Sequence, residues 1–98
     1  MSDNKPTCKT YSNGHKAWFL NGKRHREDGP AFEWANGDKE WFLNDKRHRE
    51  DGPAVERANG TKEWFLNGKE ATALEVFKRA NDEQRKHMLI FYPNEFSA

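Results

Sequence analysis

The chain has 98 residues, 34% of them hydrophobic and 34% charged, with a formal net charge of +1. That length fits one domain with a modest core, and interleaved, nearly balanced charge argues against a dedicated nucleic-acid binder, whose affinity rests on neutralising phosphates. A single cysteine, Cys8, excludes an internal disulfide framework or a multi-thiolate zinc site. Four tryptophans and seven phenylalanines make up for the low hydrophobic content, because each aromatic buries about 150–250 Å². No run approaches the ~18 apolar residues of a membrane-spanning helix. Residues 1–6 lack the apolar core of a signal peptide, so a cytoplasmic protein is the expectation.

Residues 1–7 read as a loose leader. From residue 5 to residue 69 the chain repeats with a period of 23, marked by Trp18, Trp41 and Trp64. Residues 18–40 and 41–63 differ only at Gly22/Asp45, Phe32/Val55, Trp34/Arg57 and Asp38/Thr61. The first copy is degenerate, as terminal repeats often are, with Cys8 in the place of Ala31 and Tyr11 in that of Trp34. Each copy carries an Asn-Gly pair (Asn13-Gly14, Asn36-Gly37, Asn59-Gly60), a strong signal for a two-residue type I′ hairpin. Strands are expected at about 8–12, 15–20, 31–35, 38–43, 54–58 and 61–66, in an antiparallel meander. A two-residue loop would set Phe32 opposite Trp41. Tyr11, Trp18, Phe32, Trp34, Trp41, Val55 and Trp64 would then share one face, and Cys8 would face Phe19 on the other. Asn21-Gly22, Asn44-Asp45 and Asn67-Gly68 predict a second turn, since Asn and Asp tolerate left-handed backbone. Asp28-Gly29-Pro30 and Asp51-Gly52-Pro53 read as structural turns that re-aim the chain into the next strand.

The repeat stops at Glu70, and residues 70–98 read as a helical cap and tail. Thr72-Ala73-Leu74-Glu75 fits a capping box. Leu74, Phe77, Ala80, Met88 and Phe91 form the expected buried stripe, with a break near Asn81-Asp82 and a stop at Pro93. This segment should cover a strand edge or the aromatic face.

Trp41, Asn44-Asp45-Lys46, Arg47-His48, Gly52, Asn59-Gly60 and Trp64 together resemble a variant of the MORN repeat. The Trp-aromatic-x-Asn-Gly-x-x-His-Arg-x-Asp-Gly-Pro-Ala pattern is also similar to repeats of phage and other viral proteins. The resemblance implies a β-hairpin repeat architecture and a scaffolding or binding role. It further implies a virus-encoded modulator of a host protein, such as an inhibitor of a defence system, acting in the host cytoplasm.

His25 and His48 each precede Arg-Glu-Asp, a set that could ligate metal or act as a base. Recurrence at every repeat junction favours a structural role, with Asp28 and Asp51 satisfying the backbone of their own turns. No catalytic residue, metal ligand or cofactor is assigned. The expected function is protein binding through Trp18, Trp34, Trp41, Arg57 and Trp64, helped by Arg24, Arg26, Arg47 and Arg49. A homodimer would cover exposed edges. The alternative is nucleic-acid or nucleotide binding by the Lys23–Arg26 and Lys46–Arg49 clusters, which requires those arginines to be free of carboxylates.

Overall fold

The computed structural model describes residues 5–96, so most of the expected leader lies outside it. The expected six strands are ten shorter ones, because each repeat makes two hairpins rather than one. They are β1 (Thr7–Thr10), β2 (Lys16–Leu20), β3 (Lys23–Arg24), β4 (Phe32–Glu33), β5 (Lys39–Glu40), β6 (Phe42–Leu43), β7 (Lys46–Arg47), β8 (Val55–Glu56), β9 (Lys62–Leu66) and β10 (Lys69–Ala71). The main sheet is an antiparallel meander in the order β1-β2-β4-β5-β8-β9-β10, with β3 added on β2. The β6–β7 ribbon stands apart, because the central strand breaks at Trp41 and changes partners there.

Turns form at both sets of sites, but the two-residue type lies at the second set and not at the first. Tight two-residue loops lie at Asn21-Gly22, Asn44-Asp45 and Asn67-Gly68, where Asn44 and Asp45 have φ of 52° and 67°. Both central residues of a type I′ turn need positive φ, and this is where they have it. The Asn13-Gly14, Asn36-Gly37 and Asn59-Gly60 loops are one residue longer. The Gly37 N–H donates to Trp34 O at 3.0 Å, Gly37 alone takes positive φ (100°), and the Asp38 N–H donates to Asn36 Oδ1. That is a type I turn followed by a glycine bulge.

One extra loop residue moves the register by one, which corrects the expected faces. Phe32 lies opposite Glu40, not Trp41, and Cys8 lies opposite Trp18, not Phe19. Cys8 is exposed rather than packed. Phe32 and Trp34 therefore share a face with Ala17, Glu40 and Val55, while Trp41 follows Lys39 onto the opposite face. The next row across the sheet reads Lys16, Glu33, Lys39, Glu56, Lys62, an alternation of charge that favours this pairing.

Two helices follow, α1 (Ala73–Arg79) and α2 (Asp82–Phe91), then a short 3₁₀ turn at Pro93–Glu95. Thr72 and Glu75 form the expected capping box, and Asn81 with Gln84 forms a second one at the expected break. Arg85 donates to the Phe77 and Lys78 carbonyls and closes the end of α1. The core cluster joins Trp64 of β9 to Val76, Ala80 and Met88, with Phe77, Tyr92 and Phe96 packed around it. The cap therefore covers Trp64, one residue of the expected aromatic face, and reaches the second repeat at Glu50 and Glu56. The stripe is corrected at its ends: Leu74 and Phe91 are exposed, and Val76 takes the buried place.

Thr72 stands 23 residues after Arg49, just past the end of the repeat. The Arg26 and Arg49 N–H groups donate to Phe42 O and Phe65 O of the following repeat. No fourth repeat follows, and the Thr72 N–H donates instead to Glu75 Oε1 of its own capping box.

Candidate functional site: the repeat junctions and the cleft beside Trp41

The Arg-His-Arg-Glu-Asp segments lie where one repeat meets the next. In each, the histidine Nδ1 accepts a backbone N–H from the following repeat: Asn44 to His25 at 3.0 Å and Asn67 to His48 at 2.9 Å. With Nδ1 used as acceptor, Nε2 carries the ring proton, and His48 Nε2 lies 3.0 Å from Glu50. That bond first, then one from Gln84, hold the Glu50 carboxyl below its usual range against a smaller opposing effect of burial.

The second arginine of each segment turns inward. Arg49 lies over the Trp41 ring at 3.9 Å, donates to Asp51 and Glu56 at 2.8 Å each, and donates to Pro53 O at 3.1 Å. Arg26 repeats this over Trp18 at 4.0 Å, with Asp28 at 3.0 Å, Pro30 O at 3.2 Å and Glu33 at 3.6 Å. The aspartates thus orient the arginines, and the arginines hold the Gly-Pro turns, which corrects the expectation that Asp28 and Asp51 bond the turn backbone. Gly29 and Gly52 are where the guanidinium needs room: a Cβ at Gly52 would lie 2.6 Å from Arg49 Cζ. The first arginines are also paired, Arg24 with Asp45 at 3.1 Å and Arg47 with Glu40 at 2.9 Å.

Comparison with protein-family models, curated proteins and solved structures found no match. Among the described residues, no group of three or more His, Cys, Asp or Glu is placed to hold a metal ion, and no helix is long and apolar enough to cross a membrane.

The residues expected to meet a partner separate into three places. Trp64 is buried, with its indole N–H donating to Glu95 of the cap and its ring against Tyr92 and Phe96. Trp34 and Arg57 stay exposed on the sheet, and each bonds the glutamate six residues on: Trp34 to Glu40 at 2.6 Å and Arg57 to Glu63 at 2.9 Å. Trp18 and Trp41 lie half-buried beneath their arginines.

Trp41 also lines a cleft of about 550 Å³. The remaining lining comes from Leu43, the turn at residues 26–30, residues 48–51 of the next repeat, and Gln84 and His87 of α2. The sequence alone did not show this cleft, because it needs the cap to close it. Beyond it, His87 stacks on Phe91 at 4.6 Å, and Leu89, Ile90 and Phe91 are 51%, 64% and 64% exposed.

Proposed function

We propose that this chain is a non-enzymatic protein-binding module whose repeats form a stiff platform for a contact surface on the cap. The observation that carries this reading is the run Leu89-Ile90-Phe91, three large apolar side chains more than half exposed on α2. Large apolar side chains left exposed together at one end of a helix are a candidate interaction site. The residues that could do chemistry or hold phosphate support the same reading, since His25, His48 and the four arginines of the clusters are engaged in bonds at the repeat junctions. The similarity of the repeat to viral sequences makes a host protein, met in the cytoplasm, the partner class in this reading.

The test is affinity capture with tagged wild type and with Leu89→Asp/Ile90→Asp, each from lysate with and without nuclease. One protein retained by wild type in both lysates and lost by the double variant is the expected result. Recovery that disappears with nuclease would move the function to nucleic acid. Light scattering that shows a dimer for wild type and a monomer for the variant would make a second copy the partner.

A further inference from the structure

The second arginine of each Lys-Arg-His-Arg cluster is turned away from solvent, and the acidic residues that follow it are not. In the cleft beside Trp41 the arginines are turned in, with side chains 24% exposed for Arg26 and 8% for Arg49. The carboxylates around them point out: Glu27 is 82% exposed, Asp28 88%, Glu50 59% and Asp51 43%. Four accessible negative groups thus surround a cleft whose apolar lining is Trp41, Leu43 and Pro30. We infer that this cleft docks a lysine- or arginine-bearing segment of the protein partner. The aliphatic stem would lie along Trp41 and Leu43 and the cationic head would meet Glu27 and Asp28. Long basic side chains suit such a site, because their stems bury along apolar surface while the charge stays at the rim. Like-charge repulsion disfavours an acidic segment or a phosphate there.

Continuity with the cap supports a protein as occupant. His87 lines the cleft and its ring lies 4.6 Å from that of Phe91, so the acidic cleft borders the exposed apolar end of α2 at Phe91. A peptide lying across both would set a cation in the first and apolar side chains on the second. This inference rests on the protein-binding reading above and names the chemistry of the partner.

The test uses the full chain, isotope-labelled, with the indole N–H resonances of the tryptophans assigned. The probes are a synthetic peptide of alternating leucine and lysine, the same peptide with glutamate for lysine, and inorganic phosphate. The lysine peptide should shift the Trp41 indole and the Glu27 and Asp28 amides and leave the Trp18 indole in place. Glu27→Lys, at a side chain with no partner closer than 3.7 Å to His25, should weaken that binding about tenfold, with unchanged melting temperature. Shifts of Trp41 by phosphate or by the glutamate peptide, or equal affinity for Glu27→Lys, would overturn the inference. Capture of a partner that depends on Leu89 and Ile90 but not on Glu27 would overturn the cleft assignment and leave the binding reading standing. Capture that depends on neither Glu27 nor Leu89 and Ile90 would remove that reading as well.

Discussion

Arg49→Met is the substitution that most directly probes how the repeats hold together. It keeps most of the stem and removes the guanidinium, which is 8% exposed. Five contacts disappear: the ion pairs to Asp51 and Glu56 at 2.8 Å, the bond to Pro53 O at 3.1 Å, and the contacts with the Trp41 ring at 3.9 Å and the Tyr92 ring at 5.4 Å. Removing one partner of a buried pair costs about 3–5 kcal/mol. The lower end applies here, because Asp51 can reach water and Glu56 keeps the Tyr92 hydroxyl at 2.7 Å. We therefore expect ~3 kcal/mol, against a total of ~5–15 kcal/mol for a domain of this size. Arg26→Met is the internal control. Its carboxylates are 88% and 35% exposed and Glu33 is 3.6 Å away, so screening holds its cost to ~1 kcal/mol. Urea unfolding followed by tryptophan fluorescence and circular dichroism should separate the two variants by ~2 kcal/mol, and Arg49→Met should melt roughly 12–24 °C lower than wild type. Equal costs for the two variants, or a cost for Arg49→Met below ~1 kcal/mol, would refute the reasoning.

The remaining predictions concern the turns and the cap. Gly52→Ala sets a Cβ 2.6 Å from Arg49 Cζ, whereas Gly29→Ala gives 2.9 Å from the more exposed Arg26; thermal melts should show ~2–3 kcal/mol for the first and ~1 kcal/mol for the second. Asp45→Ala keeps a Cβ at φ 67° and loses the bonds from the Arg24 backbone and side chain, so it should cost ~1–2 kcal/mol in urea, while Asp45→Gly should stay within ~0.5 kcal/mol of wild type. Burial, with the bond to Glu56, raises the Tyr92 hydroxyl from 10.0 to about 12, against the lowering effect of Arg49. A raised pKa gives stability that is complete below pH 10 and declines as pH rises from 10 towards 12. The two-unit gap is worth at most ~2.7 kcal/mol, and partial exposure reduces it to ~1–2 kcal/mol. Melting temperatures between pH 9 and 12 should fall less steeply for Tyr92→Phe than for wild type, and parallel slopes would refute the assignment.

The repeat, the second row of turns, the capping box at Thr72 and the break at Asn81 were all legible, because each depends on residues close in the chain. The register was not. Asn36-Gly37 suits a two-residue loop with both residues left-handed, and it equally suits a longer loop in which only Gly37 is. The choice moved Trp41 to the face opposite Phe32, and no local signal decides it. Asn36 Oδ1 accepting from Asp38, repeated at Asn13 and Asn59, shows what favours the longer loop. The junctions were half legible. Their recurrence marked His25 and His48 as structural, but the partner of Arg49 lies seven residues away at Glu56, and its ring partner eight residues back at Trp41. Arg26 and Arg49 turn inward while Glu27, Asp28, Glu50 and Asp51 stay accessible, because burial is decided by packing between repeats and not by order within one.

The helices also give the molecule a direction. Each repeat bonds chiefly to its neighbours, so cooperativity passes along the chain one step at a time. Among the described residues, the helical cap packs on Trp64 and reaches the second repeat at Glu50 and Glu56, while the strand Thr7–Thr10 is exposed along its whole length. Amide exchange should therefore slow progressively from Thr7–Thr10 through the middle repeat to Lys62–Leu66, and a flat profile would contradict it. During synthesis the order is reversed in time: the segment that anchors the stack leaves the ribosome after the repeats it steadies. Trp64 gains its helical cover only once α1 and α2 have followed it out.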